Sequence, residues 1–232
     1  MERPRIHLDV RSLYDQFDQP VTEFDCGEKC RLHNPSGKPF CCDICHAVPV
    51  AFSQEWEYLR LQTDLWHLWR GNECPEDESN PDRLRSQTPE HLLLMACKGP
   101  AFCERNYRAS SCRQFPFFPY ITSDDRFIGL SYEWEFESTC WVISHLHSVT
   151  AAYRREFIQV YDDLFTRIPN EFDSYAGASE EMRDHFASLR RRIPLLHRNG
   201  KDYLLSPQNE RLTRVDPLRY PRFGFYRTES GS

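Results

Sequence analysis

The sequence predicts an α+β fold that is rich in helix, with small β-hairpins and a cysteine cluster borne on loops. Three observations predict this class. Several segments repeat apolar side chains at helical spacing, two short runs have the composition of strands, and Asn199-Gly200 stands between apolar flanks like a hairpin turn. The 232 residues, 40% hydrophobic and 14% aromatic, are enough to bury a core.

Three helices are predicted from these spacings. The first covers Ser53–Arg70, with Ser53 as N-cap and three tryptophans near one face. A long helix runs from about Cys140 to Phe165 and is ended by Pro169, because proline interrupts helical hydrogen bonding. A further helix covers roughly Ser179–Arg192, with Ser179 as its N-cap.

Two strands and a hairpin complete the predicted elements. The apolar run Leu92–Ala96 predicts a buried strand, and Phe127–Phe136, in which aromatic and polar residues partly alternate, predicts a second one. The segment Leu195–Leu205 is predicted to form the hairpin. Residues 22–50, which are rich in proline and glycine, and the polar residues 72–90 are predicted to be irregular loops.

Charge and composition argue against several classes of function. The formal net charge of -6 argues against a broad nucleic-acid interface, which needs a basic surface. No run approaches the ~20 apolar residues of a membrane span. Met1–Asp15 also lacks the continuous hydrophobic stretch of a secretory signal. We therefore expect no membrane or nucleic-acid partner and a reducing, cytoplasmic location, where the cysteines are expected to be thiols rather than disulfides.

The cysteines are concentrated toward the N-terminal side of the chain. They form two blocks and two isolated positions: Cys26, Cys30, Cys41, Cys42 and Cys45, then Cys97, Cys103 and Cys112, with Cys74 and Cys140 alone. This distribution predicts a cysteine-cluster domain over residues 1–145. Residues 146–232 are predicted to form a helical and hairpin region that packs on it and could dock a protein partner.

The spacing of the thiols predicts a metal site. Two thiolates two or three residues apart on a turn, as in Cys26-x3-Cys30 and Cys42-x2-Cys45, can reach one ion at ~2.3 Å. The predicted ligands are Cys26, Cys30, Cys42, Cys45, Cys97, Cys103 and Cys112, with Cys41 and Cys140 in reserve. Cys74 is predicted to be an ordinary thiol. Zinc or iron is the expected cofactor, with a 4Fe-4S cluster as the alternative.

Basic residues near the cysteines have roles that the sequence leaves open. Arg113 directly follows Cys112, and its guanidinium would either offset the charge of clustered thiolates or form an ordinary salt bridge. Arg105 and Arg108 could act in the same way. His46 is predicted not to be a ligand, because sulfur ligands are already in excess.

Three cysteine-bearing segments together resemble a known family. FDCGEKC (24–30), FCCDIC (40–45) and CKGPAFCERNYRASSCRQFPF (97–117) resemble the YkgJ-type zinc- or iron-chelating cysteine-cluster proteins. The most specific match is the closing element Cys112-Arg113-x-Phe115-Pro116. The layout from Phe127 to Cys140 is similar to that of the flagellin lysine-N-methylases, which carry a further cysteine there.

The resemblance implies a metal-binding protein that chelates zinc or iron through clustered thiolates. Two alternatives stay open: an iron-sulfur-dependent enzyme of redox or lysine-methylase-like type, and a metal-stapled interaction protein. The sequence contains no G-x-G-x-x-G, G-x-x-x-x-G-K-[ST] or G-x-S-x-G motif. It therefore names no catalytic residue and leaves open whether the protein is an enzyme.

Overall fold

The computed structural model describes residues 8–74 and 81–228, and the chain divides into two compact units. Unit 1 comprises Met1–Asp18 and Gly27–Gln114, and unit 2 comprises Gln19–Cys26 and Phe115–Ser232. Both units combine helices with an antiparallel sheet, which confirms the predicted α+β class. The boundary predicted near residue 145 falls inside unit 2.

Unit 1 is built on a three-stranded antiparallel sheet with short helices around it. Its elements in chain order are α1 (Val10–Gln16), α2 (Gly27–Cys30), β1 (Val50–Phe52), α3 (Ser53–Gln62), β2 (Trp66–Leu68), α4 (Pro81–Gln87), β3 (Leu92–Cys97) and α5 (Ser110–Gln114). The strand order is β1-β3-β2. The predicted strand at residues 92–96 is confirmed as the centre of this sheet, where Met95 and Ala96 are fully buried.

The helix predicted over residues 53–70 is correct only in its first half. Helix α3 ends at Gln62, and Thr63 is extended. The following tryptophan, Trp66, lies in β2 and pairs with Cys97 of β3. An aromatic side chain suits a half-buried strand, and pairing with the apolar β3 outweighs the helical spacing of the tryptophans.

The two predicted loop regions contain short helical turns. Within residues 22–50, α2 and the 3₁₀ turns Arg31–His33 and Phe40–Cys42 interrupt an otherwise irregular path. Within residues 72–90, α4 was not predicted, and residues 75–80 lie outside the described part of the chain. Pro81 is the first residue of α4, a position where proline suits a helix.

Unit 2 is built on a five-stranded antiparallel sheet. Its strands in spatial order are β4 (Phe117–Ile121), β5 (Phe127–Tyr132), β6 (Ile193–His197), β7 (Asp202–Leu205) and β8 (Leu212–Arg214). The predicted hairpin is confirmed as β6 and β7, with Gly200 at φ 79° in the turn. The strand predicted over residues 127–136 is confirmed in its first part as β5, and a 3₁₀ turn follows at Trp134–Phe136.

Two long helices cover this sheet. Helix α6 (Ala151–Arg167) is capped by the Thr150 side chain, and 3₁₀ turns over Ile143–Ser148 replace the predicted start of the helix. Helix α7 runs over Pro169–Ser188, so Pro169 begins a helix as well as separating it from α6. Ser179 is not an N-cap; it lies buried within α7, where its hydroxyl accepts from the Ile121 amide at 2.9 Å.

The short segment Gln19–Cys26 belongs to unit 2 although unit 1 residues flank it on both sides. The Thr150 amide donates to the carbonyl of Val21 at 2.9 Å, at the start of α6. Farther along, the rings of Phe24 and Trp141 pack edge to face with centroids 5.3 Å apart. The segment therefore completes the region where α6 begins.

No helix in residues 8–74 or 81–228 is long and apolar enough to cross a membrane.

Candidate metal centre

Four cysteines of unit 1 lie close enough to influence one another electrostatically. They come from three parts of the chain: Cys42, then Cys97 and Cys103, then Cys112. Cys42 ends a 3₁₀ turn, Cys97 ends β3, Cys103 follows the 3₁₀ turn Pro100–Phe102, and Cys112 lies in α5. All four were predicted as ligands, and we call them the four-thiol cluster.

Cys97 is held at the point where the central strand turns into a loop. The next amide, that of Lys98, donates to the carbonyl of Leu65 at 3.0 Å and keeps the strand end in the sheet. Gly99 has φ 100°, a conformation that favours glycine, and its amide hydrogen-bonds the sulfur of Cys97. Burial and the neighbouring thiols nevertheless raise the pKa of Cys97, because they disfavour the thiolate more than this hydrogen bond favours it.

Arg108 is the positive group within the cluster. Its Nε donates to the Cys103 sulfur at 3.4 Å, and its charge also interacts with Cys112 and Cys42. Partial burial opposes the charged guanidinium, but the thiols outweigh that penalty and raise the pKa of Arg108. Arg108 therefore takes the charge-offsetting role that the sequence had offered to several arginines.

Cys112 is positioned through a buried carboxylate, that of Glu55. Glu55 lies in α3 and is fully buried. It accepts from the amide and the hydroxyl of Ser110, at 2.6 and 2.8 Å, and so holds the first residue of α5. Tyr14 donates to the same carboxylate at 2.7 Å. Desolvation, followed by the other cysteines, raises the pKa of Cys112 well above that of an ordinary thiol.

Cys42 is presented by a turn that the Asp43 side chain organises. The buried Asp43 carboxylate accepts from Asn34 Nδ2 at 3.1 Å and from Ser36 Oγ at 2.6 Å. It also accepts from the amide of Cys45 at 3.3 Å. Burial opposes the charged carboxylate, but these hydrogen bonds dominate and lower the pKa of Asp43. Cys42 therefore sits on a preformed turn.

Of the two roles left open for Arg113, the structure shows the salt bridge and, within the described part of the chain, no hydrogen bond from its guanidinium to a thiol. Its guanidinium is buried and donates to five backbone carbonyls of unit 1, those of Tyr14, Phe17, Arg105, Asn106 and Arg108. Its Nη1 also forms an ion pair with Asp18 Oδ1 at 3.2 Å, and its Cζ lies 4.3 Å from the centroid of the Tyr14 ring. Arg113 thereby ties helix α1 to the loop that carries Arg108.

One predicted ligand is not a thiol in the structure. Cys45 forms a disulfide with Cys74, with Cα atoms 5.6 Å apart, so the expectations that Cys45 is a ligand and Cys74 an ordinary thiol are both wrong here. The expectation that the chain has no disulfide fails for this pair as well. The spacing of cysteines in the sequence indicates which of them share a turn, but it does not indicate which distant cysteine forms a disulfide with them.

The structure gives other contacts or positions for the remaining predicted ligands. In unit 1, the buried Cys30 sulfur contacts the Gly27 carbonyl at 3.6 Å, and the Cys41 sulfur lies 3.9 Å from that of Cys42. Cys26 and Cys140 belong to unit 2, where Cys140 is buried. Their predicted role as ligands stays a prediction.

The chemistry of the four sulfur donors limits which metals they could hold. Among residues 8–74 and 81–228, no group of three or more histidine, cysteine, aspartate or glutamate side chains could hold a metal ion as they stand. The neighbouring sulfurs nevertheless disfavour the thiolate form of Cys97 and Cys112, and Arg108 supplies one positive charge near Cys42, Cys103 and Cys112. Zinc and iron fit such an all-sulfur set, whereas magnesium and calcium, which prefer oxygen, do not.

Sequence reasoning missed Glu55 as a supporting residue. Its signal was present: a glutamate two residues into a predicted helix stands near the N3 position, from which it can reach back to the amide before the helix. In the structure Glu55 does accept from the Phe52 amide at 3.3 Å. Its contact with Ser110, 55 residues away, had no local signal.

Comparison with known proteins adds no relative to this description. No protein-family model, no curated protein and no solved structure matches the chain.

Proposed function

We propose that unit 1 is a metal-chelating module in which Cys42, Cys97, Cys103 and Cys112 hold one zinc or iron ion as thiolates. The observation that carries this proposal is that three of these cysteines, Cys42, Cys103 and Cys112, come from separate parts of the chain and interact with the same arginine, Arg108. Cys97 interacts with the same group of thiols. Four cysteines are the complete ligand set of a structural zinc site, which leaves no position open for substrate.

The surroundings of the sulfurs support the same conclusion. The Gly99 amide and the Arg108 guanidinium donate to the sulfurs of Cys97 and Cys103. Such hydrogen bonds stabilise a negatively charged sulfur, and they are the outer contacts that orient ligands in metal sites. In the absence of a cation, burial and mutual repulsion keep Cys112 and Cys97 protonated at neutral pH.

We propose a structural role for the ion. Cys97 ends a strand of the sheet, but the other three proposed ligands lie on two irregular segments and a five-residue helix, which have little regular hydrogen bonding of their own. A cation supplies a common attachment point for them, so its binding free energy becomes folding free energy. The protein's own residues then hold the turns in place: Asp43 at Cys42, and Glu55 at the start of α5.

The first experiment is elemental analysis of protein purified without added metal, followed by replacement of the ion with Co²⁺. We expect about one ion per chain and the intense visible absorption of tetrahedral thiolate-bound Co²⁺. Each of the four Cys→Ser substitutions should reduce this absorption. Cys26→Ser is the matched control, because it makes the same substitution at a non-disulfide cysteine of unit 2, outside the four proposed ligands.

The outcomes separate the alternatives. A colourless protein with stoichiometric zinc supports the structural reading. A brown protein, purified without oxygen and containing iron and inorganic sulfide, would replace it with the iron-sulfur reading. Protein without either metal that folds cooperatively and ignores chelators would refute the proposal.

A further inference from the structure

The disulfide Cys45–Cys74 connects the turn that carries Cys42 to a loop of the same unit. Cys42 and Cys45 share the turn organised by Asp43, and that turn lies midway along the irregular segment between α2 and β1. The far end of this segment is fixed where the Met95 amide donates to the carbonyl of Pro49 at 2.8 Å. The disulfide thus supplies a second, covalent attachment close to Cys42.

The other half of the disulfide is anchored to the sheet. Glu73, beside Cys74, accepts from three successive amides, those of Arg70, Gly71 and Asn72, at 2.7, 2.8 and 3.0 Å. The loop begins at Trp69, whose amide donates to the β3 carbonyl of Leu94 at 3.0 Å. A chain of short connections therefore runs from Cys42 through the disulfide and this loop to β3, which ends at Cys97.

Both disulfide residues are partly exposed rather than buried. Buried structural disulfides resist reduction, whereas exposed ones are the labile and regulatory class. Neither disulfide cysteine is one of the four cluster cysteines, which are all thiols in the structure, so cleavage of the disulfide does not remove any of the four sulfurs.

We propose that Cys45–Cys74 is a redox-sensitive clasp on the four-thiol cluster. When it is oxidised, it holds the Cys42 turn beside the other three sulfurs and preorganises the site. When it is reduced, the turn is tethered only through its backbone, and the protein binds the metal less tightly. This inference rests on the proposed metal-binding function and concerns its regulation.

The reductant is a low-molecular-weight thiol of the glutathione class. Its thiolate attacks one sulfur of the disulfide, the S–S bond breaks, and the other cysteine leaves as a thiolate that takes up a proton. A second molecule attacks the mixed disulfide and releases the remaining cysteine as a thiol. The protein gains two electrons and two protons, and two external thiols become one external disulfide.

The test measures the zinc dissociation constant by competition with a chromophoric chelator. Full-length protein purified without reductant is compared with the same protein after reduction by a phosphine, removed under oxygen-free conditions. Mass spectrometry after alkylation verifies the state of Cys45 and Cys74. Cys45→Ser and Cys74→Ser are matched controls for each other. Each substitution removes the disulfide, but the first leaves Cys74 as a free thiol and the second leaves Cys45.

We expect zinc to bind about tenfold or more weakly in the reduced protein and in both variants, which should agree with one another. Phosphine treatment should have no further effect on either variant. Equal zinc affinity in all forms would overturn the clasp and leave the metal site standing. Tighter binding after reduction, or a Cys45→Ser defect without a Cys74→Ser defect, would overturn it in favour of Cys45 as a ligand.

Two further results would also refute the clasp. Absence of the disulfide from protein purified without reductant overturns the clasp directly. Absence of zinc and iron binding in every form overturns the proposed function, and the clasp with it.

Discussion

Replacing Arg113 by lysine should destabilise unit 1 strongly, although the charge is retained. The guanidinium donates through three nitrogens to five carbonyls and to Asp18, on two separate stretches of chain. A lysine ammonium has three donors at one point and cannot span both stretches, so about three of these hydrogen bonds are lost. At about 1 kcal/mol each, Arg113→Lys should cost about 3 kcal/mol.

Complete removal of the guanidinium should cost more. Arg113→Ala also loses the contact with the Tyr14 ring and leaves buried carbonyls without donors, so about 4–5 kcal/mol is expected. Urea unfolding followed by tryptophan fluorescence measures the loss, and amide exchange over residues 105–114 locates it. The matched control is Arg31→Lys, an exposed arginine paired with Glu28, which should change stability by less than about 0.5 kcal/mol.

The reasoning would be wrong if Arg113→Lys unfolded within about 1 kcal/mol of the wild type. It would also be wrong if exchange over residues 105–114 did not change. In either case the carbonyls around Arg113 would have to be satisfied by other groups, and its position directly after Cys112 would need another explanation.

Three further substitutions test other parts of the chain. Burial, with a smaller contribution from a neighbouring carboxylate, raises the pKa of Glu133 to about 7. Stability should therefore fall as pH rises from about 4.5 to 7, and Glu133→Gln should be about 3 kcal/mol more stable than wild type at pH 8 and equal to it at pH 4. Gly129→Ala should cost more than about 2 kcal/mol in thermal unfolding, because φ is 155° and a Cβ would lie 2.8 Å from a β6 backbone carbon. Arg108→Gln should raise the pKa of Cys112 further, because it removes a positive charge, and should slow alkylation of Cys112 in the metal-free protein roughly threefold at pH 8.

Each of these three predictions has either a control substitution or a result that would contradict it. For Gly129, the control is Gly200→Ala, where φ is also positive but an added Cβ meets open space, so the cost should stay near 1 kcal/mol. A Glu133→Gln protein that is no more stable at pH 8 than the wild type would show that the carboxyl is well solvated. Unchanged or faster alkylation in Arg108→Gln would contradict the contact assigned to Arg108.

Short sequence patterns predicted the secondary structure correctly where a single local preference decides it. Asn199-Gly200 marks its hairpin correctly because a tight turn requires residues that tolerate positive φ. The central strand of unit 1 was predicted from its apolar run. The segment after Gln62 was assigned to a helix because its tryptophans have helical spacing, yet Trp66 gains more from pairing with β3.

The site was predictable in composition but not in arrangement. Four of the predicted cysteines influence one another electrostatically, whereas Cys45 forms a disulfide with Cys74, a cysteine 29 residues away that no local pattern selects. Neighbours in sequence are also poor guides on a helix, where successive side chains point about 100° apart. For this reason Arg113 faces away from the cysteine it follows, and Arg108, five residues earlier, donates to a thiol.

The interleaving of the two units has a consequence for how the chain is made. The Gln19–Cys26 segment leaves the ribosome early, but the start of α6 that it completes is translated more than a hundred residues later. Until then its Phe24 ring has no Trp141 to pack against. All residues of unit 1 are translated before the start of α6, so unit 1 can fold while these eight residues have not yet formed their contacts with unit 2. A fragment that begins at Phe115 would lack them altogether, so adding the segment back as a separate peptide should restore the missing contacts.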